Sequence, residues 1–142
     1  VIPDIDSLQQ EILAEFSGLS DWEDRYGYLI RQGRELPSLP PPLRTEKNRL
    51  PGCRSSVWMV AELEGDQVHF HVHSDSAIIR GLIALLLRVL NYRRPEEILE
   101  TDLYFLRESQ LRSHLSPSRA HSLMTILNHL RSLANELSGP VR

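Results

Sequence analysis

The chain has 142 residues, a formal net charge of -3 with both signs mixed along it, and a single cysteine. That length fits one domain, residues 1–142, whose core needs neither disulfide nor metal staples, and the missing basic face argues against a nucleic-acid partner. One cysteine is the usage of a reducing compartment, so a cytoplasmic protein is expected, and the apolar run from Leu82 to Leu87 is far too short for a membrane span.

Leu8, Ile12 and Phe16 recur at four-residue spacing with Leu13 beside them, which predicts a helix over residues 7–17 that Gly18 ends. Ser20-Asp21-Trp22-Glu23 is a capping-box pattern. A second helix is expected to run from there to about Gln32, with Gly33 as its left-handed stop and Trp22, Tyr26, Leu29 and Ile30 on its core face. Residues 36–51 then hold five of the nine prolines, a stiff brace because fixed φ angles leave little entropy to lose. The brace leads into Leu50-Pro51-Gly52-Cys53-Arg54-Ser55-Ser56. Gly52 tolerates a positive φ and Pro51 lacks a backbone donor, so Cys53 is expected in an irregular loop at the mouth of a strand.

Strands are predicted over residues 57–63 and 68–73, joined through Glu64-Gly65-Asp66. Val68, Phe70 and Val72 share one face of the second strand, and His69, His71 and His73 the other. Alternating imidazoles could hold a divalent metal. With no cysteine or acidic pair near them in sequence they read instead as a solvated face, and no metal site is assigned. A helix over residues 76–91, capped by Asp75 or Ser74, is apolar over most of its surface and is expected at the centre, with Gly81 admitting a close neighbour. Pro95-Glu96-Glu97 opens a short helix, Asp102 is expected to cap another around Leu103 to Leu106, and Ser116-Pro117 starts a last helix reaching about Ser138 before Gly139-Pro140. Arg119 puts a cation in the first turn of that helix, against its dipole. A compensating carboxylate, such as Asp75, or an anionic partner is expected.

A lone cysteine can neither close an intramolecular disulfide nor supply the several thiolates of a zinc or iron–sulfur site. Cys53 is therefore a buried spectator, a nucleophile, or a carrier that accepts a group and passes it on. Gly52, Arg54, Ser55 and Ser56 do not resemble a packed core segment, and the adjacent Arg54 cation should favour the reactive thiolate.

Gly52-Cys53-Arg54-Ser55-Ser56-Val57-Trp58 resembles the G-C-x-S-x-V-W motif of the SufE family. Three further blocks fall in the family's order: Trp22-Glu23-Asp24-Arg25-Tyr26 with Leu29-Ile30, Gly33 and Leu36-Pro37; Ser74-Asp75-Ser76-Ala77-Ile78-Ile79-Arg80-Gly81-Leu82; and His114-Leu115-Ser116-Pro117-Ser118-Arg119. The resemblance implies a small α+β domain in which an antiparallel sheet of about three strands packs against several helices, similar to the NifU-type scaffold. Two strands are evident above, and a third would lie near Asn48 to Leu50. It also implies a function. Cys53 would accept persulfide sulfur from a pyridoxal-phosphate cysteine desulfurase, SufS- or CsdA-like, activate that enzyme, and pass the sulfur to an iron–sulfur scaffold. The chain would carry sulfur without being an enzyme itself, would need no cofactor of its own, and could form a homodimer. Gly52, Arg54, Asp75 and Arg119 are, on position alone, the candidates for holding the loop or meeting the partner.

Departures from the family pattern fall at two places. Ala120-His121-Ser122-Leu123 stands where the family usually has x-[NQ]-G-L, and Gln110 stands where a glycine is common. Three alternatives remain open: a CsdE-type acceptor feeding another sulfur route, a cysteine hydrolase using His114 or His121 as base and Asp75 as orienter, and an interaction module in which Cys53 is incidental.

Overall fold

A helix that is apolar nearly all round has to be enclosed. In the computed structural model, which describes residues 3–138, the helix Ala77–Leu90 has that role: Leu82, Ile83, Leu85, Leu86, Val89 and Leu90 are all essentially inaccessible. Around it stand α1 (Ile5–Ser17), α2 (Trp22–Glu35), a hairpin of β1 (Val57–Glu64) and β2 (Gln67–Ser74), and, following the central α3, the helices α4 (Pro95–Glu100), α5 (Phe105–Glu108) and α6 (Pro117–Ser138). α1, α2, β2 and α6 all pack on α3.

The closest approach is between α2 and α3. A Cβ on Gly81 would lie 2.2 Å from the Leu29 carbonyl oxygen, and one on Gly33 would lie 2.8 Å from the Gly81 nitrogen. Gly33 is therefore not the left-handed stop expected of it. It is a helical contact residue, and α2 continues to Glu35. Arg80 adds a hydrogen bond from its guanidinium to the Gly33 carbonyl at 3.0 Å.

Gly65, at φ 66°, and Asp66 make a two-residue turn, so Glu64 pairs with Gln67 and the register follows: Glu62 with His69, Val60 with His71, Trp58 with His73. Residues directly opposite in an antiparallel pair share a face. Val57, Met59, Val68, Phe70 and Val72 thus enter the core, and the histidines face outward. The third strand expected near Asn48 to Leu50 is not formed. Its place is taken by an isolated bridge between Arg49 and Trp58, because the 3-10 turns at Pro41–Leu43 and Glu46–Asn48 leave too little extended chain for a ladder.

Three caps differ from expectation. At α2 the Asp21 carboxylate, not Ser20 of the capping-box pattern, accepts from the Asp24 N–H at 2.9 Å. Ser76, rather than Asp75 or Ser74, caps α3 through its hydroxyl, which accepts from the Ile79 N–H at 3.3 Å. Asp102 caps nothing; it holds Arg107 through two hydrogen bonds of 2.9 Å. The turn between α4 and α5 is instead fixed by Gln9 of α1, a buried amide that donates to the Asp102 carbonyl and accepts from the Phe105 N–H, each at 3.1 Å. The expected stop at Gly139-Pro140 lies outside the described residues. No helix among the described residues is long and apolar enough to cross a membrane.

Candidate functional site

The Cys53 loop is pinned at its base. Leu50 donates its N–H to the Val57 carbonyl at 2.8 Å, next to the Arg49–Trp58 bridge, so residues 51–56 project as a closed loop from the first residues of β1. On the far side, the Ser56 N–H donates to Asp75 Oδ1 at 3.2 Å and the Asp75 N–H to the Ser56 carbonyl at 3.3 Å. Arg49 Nη2 reaches Ser56 Oγ at 3.2 Å, and Arg49 is itself paired with Glu46 at 3.4 Å. Polar clamps on both legs leave the tip to be set by Gly52, whose φ of 83° favours glycine although a Cβ there would meet nothing within 4 Å. The requirement at Gly52 is conformational, not spatial.

At the tip Cys53 is half-buried and leans against the edge of the core. Its immediate polar partner is Ser122 of α6, which is buried. Burial pushes the Cys53 thiol above its ordinary range, and the Ser122 hydroxyl, which stabilises the thiolate by hydrogen bonding, offsets part of that rise. The expectation that Arg54 would favour the thiolate is not met: Arg54 is exposed, and the groups acting on the thiol do not include it. Access to the thiol is through an open groove of about 490 Å³ lined by Glu46, Arg49, Leu50, Pro51, Gly52 and Cys53. A second groove of about 320 Å³ runs from Leu50 and Pro51 along α6 past Thr125, Asn128, His129 and Ser132.

The remaining sequence candidates fall into two groups. Asp75 joins the site by holding the backbone of Ser56. Arg119 is exposed in the first turn of α6, where its N–H donates to Ser116 Oγ at 3.2 Å, and among the described residues it forms no ion pair with Asp75 or any other carboxylate. His114 is committed elsewhere: its ring stacks on Trp22 with centroids 3.9 Å apart, its Nδ1 faces the Gln110 carbonyl, and its own carbonyl accepts from the Tyr26 hydroxyl. His121 is exposed. Among the described residues no histidine is hydrogen-bonded to Cys53.

Three residues of the site were not anticipated. Ser122 was visible only as a lost glycine, and its gain of a hydroxyl next to the thiol requires knowing that the second turn of α6 faces the loop. Arg49 and Ser56 carried no motif signal beyond their proximity to Cys53.

The fold and site together define a helix-rich α+β domain that offers one half-buried thiol on a clamped loop. A family model described as SufE, Fe-S metabolism associated domain, matches residues 10–134. The chain is 37% identical over 129 residues to an uncharacterized SufE-like protein of Rhizobium meliloti, covering 87% of this chain and 92% of that one. It is 35% identical over 129 residues to a SufE-like protein of Rhizobium etli, covering 87% of each. The solution structure of a hypothetical protein from Thermus thermophilus superposes with a TM-score of 0.76 at 24% identity, over 94% of this chain and 97% of that one, a likeness of fold. The chain belongs to the SufE family, and with it to Fe–S metabolism.

Proposed function

We propose that this chain is a sulfur acceptor: Cys53 takes sulfane sulfur from the persulfide of a pyridoxal-phosphate cysteine desulfurase, stimulating that enzyme by relieving it of product, and hands the sulfur to iron–sulfur cluster assembly. The Cys53 thiolate attacks the outer sulfur of the donor persulfide. The donor's S–S bond breaks, its thiolate leaves with the electron pair, and a new S–S bond forms on Cys53 with no net oxidation. The pyridoxal phosphate belongs to the partner; this chain carries the product of that chemistry and completes no reaction alone.

The observation that carries this reading is the state of the thiol. A raised thiol pKa and partial burial suit a group that should stay quiet when free and become reactive at a docked donor, since the protonated thiol is a poor nucleophile and sheltered sulfur meets fewer reductants and oxidants. The loop's construction supports the same account. Its legs are clamped while its tip has only Ser122 and apolar edges to leave, so the thiol can swing outward without unfolding β1.

The test is mass spectrometry of the chain after incubation with a desulfurase and L-cysteine. Gain of one sulfur on the peptide containing Cys53, abolished in Cys53→Ser, is the expected result. Unimpaired stimulation of the desulfurase by Cys53→Ser would favour a pure interaction module and contradict the carrier.

A further inference from the structure

We propose that Glu62, His69 and His71, on the outer face of the hairpin, form a site for one divalent transition-metal ion of the zinc, copper or nickel class. This lies outside the sulfur-transfer reading and does not depend on it. The sequence shows three alternating histidines without an acid beside them. The two-residue turn supplies the acid by register, setting Glu62 directly across from His69, with His71 two residues further along the same face. One donor atom from each of the three lies within 4.8 Å of the other two. Bonds of about 2.0–2.2 Å around a tetrahedral ion put its donors roughly 3.4 Å apart, so the approach still needed is small. Glu62 is exposed and the two imidazoles half-exposed, so rotation of side chains alone can supply it.

The surroundings fit the same assignment. The His69 and His71 rings sit 4.0 Å apart, and His71 Nε2 already faces Glu62 Oε1 at 3.3 Å, two donors converging on one point. His69 is held whichever nitrogen binds: Glu64 Oε2 lies 2.5 Å from its Nδ1, and the Tyr92 hydroxyl 2.9 Å from its Nε2. Such an outer partner fixes the tautomer and orientation of a ligating imidazole. Two imidazoles and one carboxylate form a donor set for zinc, copper or nickel, whereas magnesium and calcium prefer all-oxygen sites. His73, the third member of the ladder, is excluded, because it is drawn onto Trp58 with ring centroids 5.9 Å apart. Cys53 is excluded as well. Glu62 lies five steps along β1 from Val57, roughly 17 Å of strand, and the thiol precedes Val57. A bound ion would tie β1 to β2 beside the turn and keep a fourth position for water or a partner's side chain.

The test is calorimetric titration of untagged Cys53→Ser chain with zinc chloride, the substitution removing the thiol as a competing ligand. One ion per chain, saturating at micromolar zinc, is expected. His71→Ala and the near-isosteric, exposed Glu62→Gln should each weaken binding by about tenfold or more, at least the loss usual for an outer-shell partner, whereas His73→Ala should leave it unchanged. Visible absorption of bound cobalt(II), lost in His71→Ala, gives an independent reading of the same ligands. Absence of saturable binding, or binding undiminished in either His71→Ala or Glu62→Gln, overturns the site.

Discussion

Cys53 and Ser122 illustrate how much of a reactive group's character comes from neighbours distant in sequence. Arg54, one residue away, is exposed and is not among the influences on the thiol's protonation, while burial and the Ser122 hydroxyl on α6 are. Replacing Ser122 with alanine removes the one contact that favours the thiolate and leaves burial unopposed, so the thiol pKa should rise further. Measured by alkylation across a pH series, the wild-type chain should reach half its maximal rate above the pH of a free cysteine, because the thiolate is the reactive form. Ser122→Ala should move the midpoint higher still; an unchanged or lower midpoint would remove Ser122 from the site. Two histidines show the same effect of environment in the opposite sense. Burial holds the imidazoles of His73 and His129 below their usual range, and at His73 the cations Arg44 and Arg80 add to it. At Gln110 the backbone takes φ 62°, a left-handed value that glycine adopts at less cost.

The elements were legible to the degree that their signals are local. Strand alternation located both faces of the hairpin, and the apolar density of residues 76–91 identified the central helix. What could not be read was contact between elements. Gly33 looked like a helix stop because a glycine near the end of a periodic run usually is one, yet its reason is the backbone of α3 pressed against it. Likewise, the acid for the histidine face could be seen only after the turn length fixed the register. The α2–α3 contact permits a sharp prediction. Gly81→Ala places a Cβ 2.2 Å from a backbone oxygen that cannot rotate away. Such overpacking should cost about 3 kcal/mol, a loss of roughly 10 °C in Tm for a chain of this size, measured by thermal unfolding. Retention of wild-type Tm would mean that the helices are not this close.

Another pair of elements, α1 and α3, is joined by charge. Arg88 of α3 donates to both carboxylate oxygens of Glu15 at 2.8 and 2.9 Å and to Glu11 at 2.9 Å, and the Tyr28 hydroxyl bonds the same Glu15 carboxylate, beside an open cavity of about 800 Å³. The hydrogen-bonded Arg88 guanidinium holds the Glu15 carboxyl below its ordinary range. A depressed carboxyl pKa contributes stability that is present above the unfolded value and disappears as the pH falls through the folded one. Glu15→Gln should therefore cost about 1–2 kcal/mol at neutral pH, between the values for surface and buried pairs. The difference from wild type should shrink on acidification below the ordinary glutamate range. Urea unfolding at several pH values decides it, and a deficit that persists undiminished at acid pH would contradict the pairing.

Across the whole molecule, the rigid and the adjustable parts are separated. The α2–α3 glycine contact, the Gln9 link and the Glu15–Arg88 clamp hold the helices around α3, and the hairpin is registered by its turn. The loop at residues 51–56 borrows this rigidity through Asp75 and Arg49 while keeping its tip free of clamps. That division is what the proposed carrier role requires: a stable frame that would present one atom to two different partners. The most direct measurement is the mass of the Cys53 peptide after the chain meets a cysteine desulfurase and L-cysteine. One added sulfur, transferable in a second step to an iron–sulfur scaffold, is the predicted result. A peptide of unaltered mass, from a desulfurase that has turned over and carries its own persulfide, would contradict it.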